Sequence, residues 1–271
     1  MLHDIEGVKM HYTAKYFKDA LPEWKRKKDP PLSRVFYRRL SFYTAAFAAN
    51  RNITANQVSY FSMCDAIVAC VLFLFNKPLA ILGAILVNVW LLLDCTDGNL
   101  ARSVKSQPFG EFADSISSYV LVGLLCTTMG FYAFNHGGML FQEGNKWIML
   151  IGALSSSADT LMRLIYQKYK ATERDLADKG IIEIAYDERK DLSKVNSLRV
   201  RIESDFGIGG ILPLLVLLGA VFNAVDIVLL YTLAYYGGSC VVVSASQIRK
   251  AIKGEKAEMH SSAPDEADTA E

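Results

Sequence analysis

The chain has 271 residues, of which 52% are hydrophobic, with mean hydropathy +0.20 and a formal net charge of +1. So apolar a composition excludes an ordinary soluble domain and points to the membrane class. The balanced charge excludes a global basic field, so no nucleic-acid partner is expected. The 5 cysteines, Cys64, Cys70, Cys95, Cys126 and Cys240, fall in or at the ends of apolar runs without C-x-x-C spacing. They read as buried thiols and not as disulfides or a zinc site.

Residues 1–29 are polar, with a basic knot at Lys25-Arg26-Lys27-Lys28 and no apolar core of a cleavable signal, so insertion is expected to rely on later segments. Asp29-Pro30-Pro31 predicts a helix start, with Asp29 as the cap. Leu32, Val35, Phe36, Leu40, Tyr43 and Phe47 then recur every three or four residues, with Arg34 and Arg38 off that stripe. This is an amphipathic juxtamembrane helix with a basic face, suited to an anionic bilayer surface or to packing on the rest of the chain. Asn56 is the expected cap of the next helix.

Apolar runs follow at about 57–75, 79–96, 112–134, 147–166, 206–224 and 226–247. Each approaches the ~20 residues that cross a bilayer as helix. The fold class is therefore an all-α polytopic membrane protein, with about six transmembrane helices and an N-terminal amphipathic helix. The expected divisions are a cytoplasmic segment over 1–52, a membrane catalytic domain over 53–250 and an unstructured tail over 251–271. Pro213 is expected to kink the fifth span. Of the 29 lysines and arginines, all but Lys77 and Lys146 fall on one side of this topology. That bias predicts both termini and the 97–111 connection on the cytoplasmic side. The connection at 167–204 reads as a surface helix or a loosely ordered loop.

One stretch organises the rest: Asp94-Cys95-Thr96-Asp97-Gly98-Asn99-Leu100-Ala101-Arg102, then Gly110 and Asp114. Carboxylates at the end of an apolar run are costly and point to function. Asp94 and Asp97 share a helix face, and Asp114 opens the antiparallel helix that follows. Such hard oxygen ligands suit a divalent cation, magnesium or manganese. Gly98 and Ala101 leave room near the backbone, and Arg102 suits a phosphate. The plain alternative is that the small residues only allow close helix contact.

The pattern D-x-x-D-G-x-x-A-R, seven residues, G-x-x-x-D-x-x-x-S resembles the signature of the CDP-alcohol phosphotransferase family. The resemblance implies an integral-membrane enzyme of phospholipid synthesis. Such an enzyme moves a substituted phosphoryl group from a CDP-linked donor, such as CDP-diacylglycerol, to an alcohol acceptor and releases CMP. It implies that Asp94, Asp97 and Asp114 are metal ligands, and that Gly98, Ala101, Arg102 and Gly110 form the nucleotide side. The expected partners are the donor, an unidentified alcohol, the bilayer and a second copy of the chain.

The family's last aspartate, assigned there as ligand and general base, is replaced by Ser118. Three explanations stand. Glu111, on one helix face with Asp114 and Ser118, substitutes as base. The acceptor's own phosphate, a metal-bound water or a single-metal site replaces the base. Or the chain binds nucleotide and metal without efficient turnover. The resemblance also implies that Arg163, with Arg199 or Arg201, is the candidate for binding an acceptor phosphate, against a plain snorkelling role for Arg163 at a helix end. Asp65 and Asp159 are intramembrane acids, and Asp159 is placed to pair with Arg163.

Overall fold

The computed structural model describes residues 11–182 and 205–261. Two short helices, α1 (Ala14–Asp19) and α2 (Glu23–Lys28), open it. A π turn at Ser33–Tyr37 leads into α3 (Arg38–Asn50). Then come α4 (Ala55–Leu72), α5 (Lys77–Ser103), α6 (Gly110–His136), α7 (Lys146–Asp178), α8 (Leu212–Phe222) and α9 (Val225–Ser261). No strand occurs among the described residues. Five helices, α4 to α7 and α9, are long and apolar enough to cross a membrane. The chain is thus an all-α polytopic membrane protein.

The core lies where α4, α5, α6, α8 and α9 converge, around Val87, Leu91, Leu125, Met129, Val216 and Leu229. Outward-facing Val68, Leu82, Ile85, Leu154, Leu161 and Val241 give the bundle the apolar exterior that lipid requires. Small residues let the helices approach closely. A Cβ at Gly152 would overlap the Cys126 carbonyl of α6, and one at Gly83 would come within 2.6 Å of the Ala69 carbonyl of α4.

The fifth apolar run departs from expectation. α8 has 11 residues, or about 16 Å of helix, short of the ~30 Å hydrocarbon thickness. Gly207, Gly209 and Gly210 favour turns over helix. Pro213 sits in the first turn of α8 and starts the helix without kinking it. The segment nonetheless has contacts at both ends of the bundle. Gly209 O accepts from Ser33 Oγ at 2.5 Å at one end of the bundle. At the other end Asp226 Oδ2 accepts from Leu140 N (2.6 Å) and Phe141 N (3.0 Å) in the α6–α7 loop. The irregular backbone before α8 is satisfied internally, as it must be at membrane depth: Ile211 N donates to Asp205 O at 2.9 Å, and Tyr231 Oη donates to Phe206 O at 2.5 Å.

Local details correct other expectations. Thr54, not Asn56, caps α4, in a reciprocal box with Gln57. Asn56 instead ties α4 to the loop before α6 through Pro108 O (2.9 Å). Asp29 closes α2 and does not cap α3. All five thiols are free, yet Cys64 is exposed. α9 runs on to Ser261, into the segment expected to be unstructured, as its Ala, Lys, Glu and Met residues favour helix. By contrast, α7 extends to Asp178, in keeping with the surface-helix reading of the 167–204 connection; residues 183–204 lie outside the described residues.

Candidate functional site

The long helix α5 carries its carboxylates at the same end as the loop to α6. A cavity of about 340 Å³ opens there. Its walls include Asp94, Asp97, Gly98, Ala101 and Arg102 from α5, and Gly110, Glu111 and Asp114 from α6. All the nucleotide-side and acidic residues read from the motif therefore share one space. The three aspartates differ in setting. Asp97 is buried and its Oδ2 accepts from Ser59 Oγ of α4 at 2.6 Å. Asp94 is half-buried and Asp114 exposed. They lie close enough to repel one another.

Such a cluster needs cationic company. Lys25, Arg38 and Arg102 supply part of it from the same cavity wall. The all-oxygen donor set also fits a hard divalent ion. Among the described residues, no three His, Cys, Asp or Glu side chains converge to hold an ion by themselves. An ion bound there would therefore need oxygen from a substrate phosphate beside the carboxylates.

Gly98 has a more local role than admitting a ligand. A Cβ there would meet the Arg102 guanidinium nitrogens at 2.9 and 3.0 Å. The missing side chain lets Arg102 lie back along α5, where its Nη2 donates to Asn99 Oδ1 at 3.2 Å. Asn99 Oδ1 also accepts from Arg38 Nη1 at 3.2 Å, and Asn99 Nδ2 donates to Ser41 Oγ at 2.9 Å. Asn99 thereby fixes two guanidinium groups at once.

Arg38 corrects the sequence reading. It belongs to no basic face on the membrane surface; it is buried. Its Nε and Nη2 donate to Asp29 at 2.7 and 3.1 Å, and Nη1 also donates to Cys95 O at 3.1 Å. The face of α3 opposite the apolar stripe packs inward, while Val35, Phe36, Leu40, Tyr43 and Phe47 point out. The π turn before α3 sets Ser33, Tyr37 and Arg38 on the inner side, a known use of such turns near functional sites. Burial opposes the charge of Asp29, yet the Arg38 guanidinium and Lys25 ammonium outweigh it and hold its carboxyl below the usual range. Sequence spacing placed Arg38 only off the stripe; its ion pair with Asp29 carried no signal.

A second cavity, about 480 Å³, adjoins the first and shares Lys25, Arg38 and Asp94 with it. Its walls mix apolar Leu91, Met162 and Val243 with Arg163. Arg163 Nε donates to buried Asp159 Oδ1 at 2.9 Å, and its guanidinium lies 5.8 Å from the Tyr119 ring. The expected Asp159–Arg163 pair is thus present. Arg199 and Arg201 lie outside the described residues. Ser118 is not among the described residues lining either cavity; its hydroxyl turns back to donate to Ser115 O at 2.9 Å. Asp65 faces neither cavity, and its buried Oδ2 has no partner among the described residues.

No curated protein sequence matches the chain. Residues 52–185 match the profile of the CDP-alcohol phosphatidyltransferase family. The match takes in α4 to α7, and so both helices that carry the motif. Its members' reaction takes a substituted phosphoryl group from a CDP-alcohol in lipid synthesis. Residues 52–185 are thus a CDP-alcohol phosphatidyltransferase domain.

Proposed function

We propose that the protein transfers a phosphatidyl or similar phosphoryl group from a CDP-linked donor, such as CDP-diacylglycerol, to a hydroxyl acceptor, with release of CMP. One observation carries the reading: the motif residues line a single polar cavity that abuts a larger, partly apolar one. Asp94, Asp97 and Asp114 would share magnesium or manganese with the donor's pyrophosphate, whose oxygens would complete a donor set that the carboxylates do not close by themselves. When bound, the ion neutralises charge that develops on the departing CMP. Arg102, held by Asn99, pairs with a phosphate oxygen, and Ala101 and Gly110 leave space for the cytidine side. Arg163, oriented by Asp159, faces the second cavity, where an acceptor carrying an anionic group binds.

In the transfer, the acceptor oxygen forms a bond to phosphorus as the bond from phosphorus to the CMP oxygen breaks. The hydroxyl proton passes to Glu111. Glu111 is favoured over Ser118 because it lines the motif cavity, while the Ser118 hydroxyl is turned to its own helix. The active site and both termini face the cytoplasm, where CDP-linked donors are available. The charge bias of the connections supports that orientation.

The test offers purified protein CDP-diacylglycerol and a panel of alcohols with magnesium or manganese, and follows CMP. Release at least 100-fold above an Asp97→Asn variant is expected, on the order of the loss seen when a charge-stabilising group is removed. No release above that control across the panel would sink the enzyme reading. CDP binding without release would mark the chain as a nucleotide-binding member without efficient turnover. Glu111→Gln is expected to lower the rate by about 10²–10⁴-fold; an unchanged rate removes Glu111 from the role.

A further inference from the structure

The two cavities meet at three side chains, Lys25, Arg38 and Asp94. Arg38 is already committed: its bonds to Asp29, Cys95 O and Asn99 use both ends of the guanidinium. Lys25 is different. Its Nζ lies 3.2 Å from Asp29 Oδ1, and its side chain keeps 24% of its surface exposed. It attracts both Asp94 and Asp114, one on each motif helix. Asp29 retains two bonds from Arg38 whether or not Lys25 is present, so Lys25 is able to turn towards an incoming anion.

The N-terminal segment that leads to Lys25 is held in place from several directions. Tyr12 N donates to Asn50 Oδ1 at 2.9 Å, and Asn50 Nδ2 donates back to Tyr12 O at 2.8 Å. Tyr16 Oη donates to Ser103 O at 2.7 Å, at the end of α5. Phe17 is buried in an apolar cluster with Leu100 and Ala45. Arg26 Nη2 then ties α2 to α1 through Lys18 O at 2.6 Å. The N-terminal segment is therefore strapped to the helix that bears the motif, although it lies wholly outside the matched residues 52–185.

We propose that Lys25 is a substrate-binding residue whose ammonium contacts the phosphoryl group in transit, at the boundary between the nucleotide cavity and the second cavity. This rests on the donor reading above. The transferred phosphorus leaves a CMP oxygen in one cavity for an acceptor oxygen in the other, so its anionic oxygens cross that boundary. A compact charge with three rotatable donors follows such a moving group, whereas the rigid fork of Arg102 stays with the departing nucleotide.

The experiment uses the full chain, purified with magnesium present, titrated separately with CDP and CMP. The β-phosphate of CDP stands for the transferred group; CMP lacks it. Lys25→Gln is expected to weaken CDP binding about 10-fold while CMP changes less than about 2-fold, the scale of one hydrogen bond to a charged group. Lys25→Arg should keep CDP affinity within about 3-fold of the parent. Lys27→Gln, which removes an exposed partner of Glu23, should leave both nucleotides unchanged. If Lys25→Gln unfolds, Lys25→Met keeps the aliphatic stem and asks the same question. Equal losses for CDP and CMP, or no loss for either, overturn the proposal. A parent protein that binds neither nucleotide overturns the donor reading itself.

Discussion

Asp29 and Arg38 show how much depends on single charges here. Both are buried, at 4% and 5% exposure, and each is the other's main partner. Removing one leaves a buried charge uncompensated, at a cost of about 3 kcal/mol. Asp29→Ala is therefore expected to lower the thermal midpoint of the detergent-solubilised protein clearly, whereas Lys27→Ala at an exposed pair should leave it within error. The same pair sets a pH window. Arg38 and Lys25 hold the Asp29 carboxyl below its ordinary value, so the folded state favours the ionised form. The stabilisation is complete above the unfolded value of ~3.9 and disappears as pH falls through the lower folded value. Emission from Trp24 on α2, taken as the difference from a Trp24→Phe variant, should be constant from pH 8 to about 5. It should change only below about pH 4; a transition near neutrality would show that another group controls the segment. Gly98 offers a second test. Gly98→Ala forces Arg102 off Asn99, and nucleotide affinity should fall about 10-fold, with folding unaffected because only a flexible side chain is displaced.

Helix contacts decide the next scale. α6 and α7 cross at Gly130 and Gly152, where backbone meets backbone. Gly152→Ala places a methyl group against the Cys126 carbonyl and should cost about 3 kcal/mol. Gly123→Ala, whose new methyl would sit 3.8 Å from Thr160 Oγ1, should be neutral or slightly stabilising. Thermal unfolding of the two variants side by side checks the assignment. The pair matters for function because α6 carries Glu111 and Asp114, while α7 carries Asp159 and Arg163. α8 makes a complementary point. It is too short to span alone, and the turns before it let Gly207, Ile208 and Gly209 line the second cavity. Irregular backbone is tolerated at that depth because it lines a cavity and finds its hydrogen bonds within the protein.

At the scale of the whole molecule, two ends of the bundle are distinguished. One holds the cavities, the α5–α6 loop and the N-terminal segment; the other holds the α6–α7 loop anchored on Asp226. The cytoplasmic orientation proposed for the first end is checked with a membrane-impermeant maleimide on sealed cells. In a background with Cys64, exposed in the parent, replaced by Ser, a Gln107→Cys variant should stay unlabelled until the membrane is opened. A Gln142→Cys variant should be labelled at once. The reverse pattern would place the site on the other side of the membrane and remove it from the CDP-linked donors.

The sequence by itself determined the membrane class, the long helices and the acidic motif. Hydrophobic runs near bilayer length and carboxylates at fixed helical spacing are local patterns, legible without knowing what packs on what. It also placed Asp94, Asp97, Gly98, Ala101, Arg102, Gly110, Glu111 and Asp114 close together, because a short loop joins antiparallel α5 and α6. Only the tertiary structure decided that α8 is short, that Arg38 turns inward to Asp29, and that Ser118 turns away from the cavity. Only it brought Lys25 to the boundary between the two cavities. Those outcomes depend on partners far apart in the chain, where periodicity carries no information: a helix pattern fixes which residues share a face, and packing alone fixes what that face meets.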